Sequence, residues 1–312
     1  MTNSAGRCAA TWRLHTRALS LGLRTLVMGV VNITPDSFSD GGLFLEAQAA
    51  VAHALKLLDE GADIVDLGAE SSRPGSHAGN SAASVSAEEE QARLLPVLEG
   101  VLRARPDAVV SVDTYKAATA SAALTAGAEI VNDVSGFTWD AEMAGVCADF
   151  GAGVVLMHTR ARPEEWRAQP QLAPDALMAM VRNGLARSLA VAQSSGIPHD
   201  AIVLDPGYGF GKRFEENYSL LARQAELLEF GRPLLAGVSR KSFLRHTLAT
   251  ITGESNEASG YLVEARENAS LAAMTAAILN GASIARVHSV RPAVEAASIA
   301  DAILAARKSL LE

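Results

Sequence analysis

Cysteine is almost missing from the chain: Cys8 and Cys147 are the only two in 312 residues, and they lack CxxC spacing. A disulfide framework is excluded, and no zinc-ligand pattern is present. Both read as inert small residues, Cys147 on a helix and Cys8 in the leading segment. Long hydrophobic runs are missing too, since every apolar stretch falls far short of the ~20 residues that span a bilayer. Positive charge is not in surplus: 27 Lys and Arg face 35 Asp and Glu, for a net charge of -8. That balance argues against nucleic acid or an anionic membrane as the main partner. It does not exclude an anionic small substrate, because a pocket can be locally positive on an acidic protein. Residues 1–24 contain Arg7, Arg13, His15, Arg17 and Arg24 but no uninterrupted apolar core and no cleavage site. They read as a short N-terminal tail, with room for a hairpin, rather than a secretion signal, and the expected location is the cytoplasm.

What is present is 49% hydrophobic and 20% charged residues, the balance of a globular protein with a sizeable core. The stretch Val27–Gly42, VMGVVNITPDSFSDGG, shows how that core is used. It opens as an apolar, β-branched run, which predicts a strand buried on both faces. At Asn32 it breaks into a loop punctuated by Pro35, Gly41 and Gly42. The arrangement recurs. GADIVDLG ends near Asp66, AVVSVDT at Asp113, AGAEIVND at Asn132 and Asp133, and GAGVVLMH at His158. AIVLDPG ends at Asp205, RPLLAGVS at Ser239 and GASIARVH at His288. Helical patterns intervene over 45–59, 87–105, 116–126, 140–150, 174–195, 215–230, from Arg240 onward, 267–279 and 292–311. EGADIVD, AGAEIVN, FGAGVVLMH and NGASIARVH share a helix-ending glycine, an alanine and a β-branched run, a faint internal repeat. Apolar strands alternating with helices predict a parallel sheet with right-handed crossovers. Eight such units in residues 25–312, with no linker, predict an α/β fold: a single-domain (β/α)8 TIM barrel.

In such a barrel the functional face is the carboxyl end of the strands. Asn32, Asp66, Asp113, Asn132, His158, Asp205, Ser239 with Lys241, and Arg286 with His288 all fall there. A carboxylate or amide at the end of a buried strand costs desolvation energy unless it finds a partner. One alone is usually a turn or a cap; so many converging on one mouth predict a site. Inward Asp and Asn can read a flat heterocycle, since carboxylates accept from ring N–H and amino groups while an amide both donates and accepts. Closure makes the strands of Asn32 and of Arg286 and His288 neighbours. Arg and His can donate to anionic oxygens, and Asn32 can offer an oxygen to a hard cation such as Mg2+. These residues point to a phosphate-bearing substrate whose other end is a polar ring. DPGYGFGK is glycine-rich but fails the P-loop spacing, which would put its first glycine at Pro206 and its Ser or Thr at Arg213. Its glycines are expected to bend the loop over the mouth and hold Phe210 beside the ligand. Lys241 admits two readings, a ligand contact or a Schiff-base lysine as in barrel aldolases.

Together these motifs resemble those of the dihydropteroate synthases, in the pterin-binding barrel superfamily. VMGVVNITPDSFSDGG is similar to that family's first signature and GADIVDLGAESSRPG to its second. IVNDVSG, IVLDPGYGFGK, LLAGVSRKSFL and ARVHSV match later blocks in the same order. The resemblance implies joining p-aminobenzoate to 6-hydroxymethyl-7,8-dihydropterin pyrophosphate, with release of pyrophosphate and 7,8-dihydropteroate. It also implies Mg2+ as cofactor and a homodimer. Carried over by motif, it implies that Asp113, Asn132, Asp205 and Lys241, with Met157 and Gly237, hold the pterin. It implies pyrophosphate contacts from Asn32, Ser72, Arg73, Arg286 and His288, with Asn32 at the metal. It implies a p-aminobenzoate pocket built from Phe38, Ser72, Arg73, Pro74, Phe210, Lys241 and Ser242, the substrate carboxylate lying by Ser242 at a helix N-terminus. Asp36, Asp205 and Lys241 are the implied catalytic groups. Three features depart from the family pattern: Ser72 replaces the common Thr, MHTRARPEEW replaces a Gln-Gly loop and leaves its contacts unassigned, and residues 248–265 form a longer connection. That connection reads as a surface element rather than as one that alters the p-aminobenzoate side and sulfonamide sensitivity.

Overall fold

Successive side chains of a strand point to opposite faces, and here that alternation divides the apolar residues into two cores. The structure is a computed structural model and describes residues 7, 10–33, 42–72, 76–79, 84–252 and 261–310. An antiparallel hairpin of β1 (Ala10–Arg13) and β2 (Ala18–Leu21) comes first. The barrel strands are β3 (Leu26–Asn32), β4 (Ile64–Gly68), β5 (Val110–Asp113), β6 (Ile130–Asp133), β7 (Gly153–Met157), β8 (Ile202–Asp205), β9 (Leu234–Ala236) and β10 (Ala282–Val287). All neighbours are parallel, and β10 pairs with both β9 and β3, which closes the barrel and leaves no edge. Around it lie α1 (Gly42–Asp59), α2 (Ala87–Ala104), α3 (Ala117–Thr125), α4 (Met143–Phe150), α5 (Pro174–Ser194), α6 (Phe214–Arg223), α7 (Ser242–Thr252), α8 (Tyr261–Leu279) and α9 (Val290–Ser309). The architecture is the expected (β/α)8 barrel.

One parity of each strand, including Val31, Leu67, Val112, Val131, Leu156 and Leu204, packs outward with helix residues such as Leu57 and Leu98. The other parity, Met28, Ile64, Val109, Ile130, Val155, Val203, Leu235 and Ile284, fills the barrel interior. The same interior cluster takes in Trp12, Leu14 and Leu21, so the hairpin is a plug across the amino-terminal end of the barrel. Trp12 is fully buried and its indole N–H donates to the Ala201 carbonyl at 3.0 Å. A side chain at Gly153 would meet Leu14 Cδ2 at 2.6 Å, so the glycine clears space for the plug. The buried Glu129 carboxylate, just before β6, fastens the hairpin turn by accepting from the Thr16 amide at 2.8 Å and from Arg17 Nε at 2.9 Å.

Two helices differ from their sequence patterns. The pattern over 215–230 divides into α6 and a tighter 3-10 turn over Gln224–Phe230. Gln224 is buried at the change of pitch, accepting from Tyr208 Oη at 2.6 Å and donating to the Ala277 carbonyl at 3.0 Å. Its amide ties the chain to α8 where the α-helix stops. The helix expected from residue 267 starts at Tyr261, while residues 253–260 lie outside those described.

Because Trp12 closes the interior with a large apolar side chain, Trp12→Ala is expected to cost about 3–5 kcal/mol in urea unfolding. A loss below about 1 kcal/mol would show that the hairpin is not part of the barrel core.

Candidate active site

The inward parity that carries the apolar layer turns polar at the carboxyl ends. Asn32, Asp66, Asp113, Asn132, Met157, Asp205, Gly237, Arg286 and His288 each stand two or four residues beyond an inward apolar residue of their own strand. With the other end plugged, this mouth is where the barrel interior meets solvent.

Arg286 is the hub. Its Nε donates to Asp66 Oδ2 at 2.6 Å and its Nη2 to Asp113 Oδ2 at 2.5 Å. Asn132 Nδ2 donates to the same Asp66 oxygen at 3.0 Å. The cluster joins β10, β4, β5 and β6 across the mouth. Strand pairing places Arg286 opposite Met28 but Asn32 opposite Gly68. The expected adjacency of Asn32 with Arg286 therefore holds for the strands, not for depth: Arg286 starts four residues lower and directs its guanidinium to the two aspartates. His288 is steadied by Ser239, whose Oγ lies 3.0 Å from its Nδ1 and accepts its backbone N–H at 3.3 Å.

On the far side, Asp205 Oδ1 accepts the Gly207 N–H at 2.7 Å. A Cβ at Gly237 would stand in ordinary contact with Asp205 Oδ2, at 3.6 Å, so Gly237 lies directly beside that carboxylate. Lys241 Nζ stands 4.1 Å above the centre of the Phe210 ring, a cation–π contact. Phe210 in turn meets Trp166 edge to face at 5.1 Å. Ser242 opens α7 immediately after Lys241.

The sequence reading missed the residue that shapes the 207–211 loop. Lys212 is buried, and its ammonium donates to the carbonyls of Gly207 at 2.7 Å, His158 at 3.1 Å and Phe210 at 3.3 Å. Gly207 has φ +71°, and a Cβ there would lie 1.9 Å from the His158 carbonyl oxygen, so this close approach needs glycine. A lysine inside a glycine run was the available signal. His158 itself is a correction: it does not face the mouth. Met157 takes the inward position, and the His158 ring lies against Gly184 of α5.

The loop after β4 is pinned at both ends. Glu70 Oε2 accepts Lys116 Nζ at 2.5 Å, and Glu70 Oε1 accepts the Val85 amide at 3.2 Å. Lys116 also reaches the buried Glu90 at 3.2 Å. Ser72 is half-buried on this loop. Asp36, Phe38, Arg73 and Pro74 lie outside the described residues.

Burial sets the electrostatics. It raises the Asp113 carboxyl to about 7, against the pull of Arg286 and with the repulsion of Asp66. It raises Asp205 as well, opposed by the Gly207 N–H and Lys241. It lowers Lys241 to about 8, with help from the like charge of Arg286 and opposition from Asp205 and Asp113. Arg286 loses hydration, yet Asp66 and Asp113 outweigh that and hold it charged. Near neutral pH the mouth thus offers a carboxyl able to donate or accept at Asp113, a second buried carboxyl group at Asp205, an amide and two cations. Such a set reads a flat ring bearing several N–H groups at one end and an anion at the other.

Fold and mouth together define a barrel enzyme for a polar heterocycle with an anionic appendage. The model of the family described as "Pterin binding enzyme" matches residues 28–288. The dihydropteroate synthase of Escherichia coli strain K12 is 39% identical over 298 residues, covering 95% of this chain and 98% of that one. The Yersinia pestis dihydropteroate synthase, solved as a sulfonamide drug complex, is 36% identical with TM-score 0.81, covering 95% and 99% of the two chains. That of Xanthomonas albilineans, solved with 4-aminobenzoic acid, is 38% identical with TM-score 0.80, covering 95% and 98%. The chain belongs to the pterin-binding enzymes and, within them, to the dihydropteroate synthases.

The desolvated Lys241 lacks a carboxylate within salt-bridge distance among the described residues, so Lys241→Met is expected to stabilise the fold at pH 7 by about 1 kcal/mol. The sign follows from linkage. Between about 8 and the ordinary lysine value the unfolded chain binds the extra proton, so wild-type stability rises with pH in that window. Urea unfolding should show the gap between variant and wild type closing as pH rises through it; a constant gap would remove the buried charge as its cause.

Proposed function

We propose that the Asp113, Asn132, Asp205, Lys241 and Arg286 cluster is where this dihydropteroate synthase joins 6-hydroxymethyl-7,8-dihydropterin pyrophosphate to p-aminobenzoate. The observation that carries this reading is their convergence from five strand ends onto one mouth, with Asp66 locking Arg286 and Asn132 in place.

Asp113, Asn132 and Asp205 bind the edge of the pterin, while Met157, Gly237 and Lys241 flank the ring. Arg286 and His288 face the pyrophosphate, with Asn32 and Ser72 above them, and the charge-assisted hydrogen bonds of Arg286 and His288 ease departure of the polyanionic leaving group. Asp205, with Asp36, places negative charge near the exocyclic carbon as it becomes cationic. The arylamine of p-aminobenzoate is neutral near pH 7, so positioning by Phe210, Lys241 and Ser242, with Phe38, Arg73 and Pro74, suffices in place of a strong general base. Its carboxylate lies at the N-terminus of α7. The same contacts are available to a sulfonamide such as that in the Yersinia pestis complex.

The residues present fit Mg2+ held mainly by substrate. Asn32 offers an exposed neutral oxygen at the end of β3, and among the described residues no cluster of three or more His, Cys, Asp or Glu forms a cage. Mg2+ commonly takes one or two protein ligands and completes its shell with substrate phosphates and water. Bound there, it would offset charge on the pyrophosphate. A homodimer accompanies this reading on the strength of the family resemblance, and the cytoplasmic location expected from the sequence is kept with it. No helix among the described residues is long and apolar enough to cross a membrane.

The purified protein is expected to release pyrophosphate only when both substrates and Mg2+ are present; no release at saturating substrate would overturn the reading. Lys241→Ala should weaken pterin binding about tenfold or more in titration calorimetry while the chain stays folded. Unchanged affinity would take Lys241 out of the site. Borohydride trapping with substrate should leave Lys241 unmodified, whereas a trapped adduct would establish the Schiff-base alternative.

A further inference from the structure

The loop after β7, whose contacts the motifs left unassigned, forms one wall of a separate cleft of about 430 Å³. Arg160, Arg162 and Glu165 of that loop, Thr138 and Trp139 of the loop after β6, and Arg187 and Ser188 of α5 are the residues that matter there. The cleft lies outside the barrel wall. A Cβ on Gly136 would sit 2.7 Å from both the Met157 carbonyl oxygen and Ser188 Oγ, so Ser188 backs the end of β7 whose Met157 side chain faces the mouth.

Its charge is lopsided. Arg160 has Glu216 at 3.7 Å, and its buried Nη1 has no hydrogen-bond partner. Arg162 rests over the Trp139 ring at 6.0 Å, and neither it nor Arg187 has a carboxylate within salt-bridge distance among the described residues. Glu165, the one acidic residue in the lining, accepts the backbone N–H of Arg162 at 3.1 Å. With Arg160 paired to Glu216, two guanidinium groups, those of Arg162 and Arg187, share a lining whose one carboxylate is Glu165, on a chain whose net charge is -8. The positive field is felt at the neighbouring His158: burial first, then the charges of Lys212, Arg187 and Arg160, hold it well below its ordinary value and neutral. The hydroxyls of Thr138, Thr159 and Ser188 already donate to the carbonyls of Ser135, Ala161 and Gly184, so the donors left for a ligand are the guanidinium forks of Arg162 and Arg187, which match the oxygens of a phosphoryl group.

We propose that this cleft is a second anion site, taking the phosphoryl group of a small phosphate-bearing molecule between Arg162 and Arg187, apart from the pyrophosphate contacts of the mouth. Its volume admits anything from inorganic phosphate to a nucleotide. The loop that forms it also carries Trp166 and Arg160, which touch Phe210 and Gly211, so an occupant stands one side chain away from the p-aminobenzoate face.

The test is equilibrium dialysis of the full chain with three probes: inorganic phosphate, pyrophosphate and ATP. Wild type is compared with the double variant Arg162→Met/Arg187→Met, and Arg286→Met reports separately on the mouth. At least one probe is expected to lose one site per chain in the double variant, or about tenfold or more in affinity for each arginine removed. The melting temperature and pyrophosphate-releasing activity of that variant should stay within error of wild type. Loss confined to phosphate and pyrophosphate identifies a simple phosphoanion; loss confined to ATP identifies a nucleotide. If the double variant binds all three probes as wild type does, the proposal is overturned. It is equally overturned if Arg286→Met abolishes all binding.

Discussion

The ion pair of Arg286 with Asp66 sits at the boundary between the dry barrel interior and the open mouth, and the geometry of the site hangs on it. Asp66 is fully buried, and one of its oxygens accepts both from Arg286 and from Asn132. Removing a carboxylate and a guanidinium from water costs several kcal/mol for each ion, and their attraction offsets this only when the geometry is good. Such a pair is therefore weak support for stability. Its consequence here is placement: Arg286 cannot swing away, Asn132 presents its carbonyl rather than its NH2, and Asp113 shares the same guanidinium. Two aspartates on one arginine in a desolvated site leave one of them with a carboxyl near neutrality, and that one is Asp113.

This ionic layer is tolerable because the layers beneath it are not ionic at all. Interior residues such as Met28, Ile64, Val155 and Ile284 pack into a solid core, and Trp12 with the hairpin seals it from below. Stability is concentrated at the amino-terminal end and chemistry at the carboxyl end, the division characteristic of the fold. Outside the mouth, two lysines do the holding: the buried Lys212 gathers three carbonyls of the glycine-rich loop, and the half-buried Lys116 grips Glu70 where the loop after β4 departs. Phe210 and Ser72 inherit their positions from these clamps.

Much of the site was legible in the chain because Asp113, Asn132, Asp205 and Arg286 each interrupt an apolar run that has no other reason to turn polar. His158 was misplaced for a specific reason. It ends its run as the others do, but it follows Met157 by one residue, and a single step along a strand exchanges inward for outward. Lys212 went unread because the glycines around it were weighed only as a phosphate loop. The Glu70, Glu90 and Lys116 network left no trace in the sequence, since its members lie on separate elements that meet only after folding.

The sequence by itself determined the alternation of buried strands and helices, hence the barrel, and the polar residues at the strand ends, hence the kind of ligand. These follow from periodicity and desolvation, which act along the chain. Only the tertiary structure decided depth and facing. Interstrand register sets Arg286 four residues below Asn32, and pleat parity puts Met157 inside and His158 outside. Burial then shifts the protonation of Asp113 and Lys241, a property of the surrounding dielectric and charges that exists only once the barrel has closed around them.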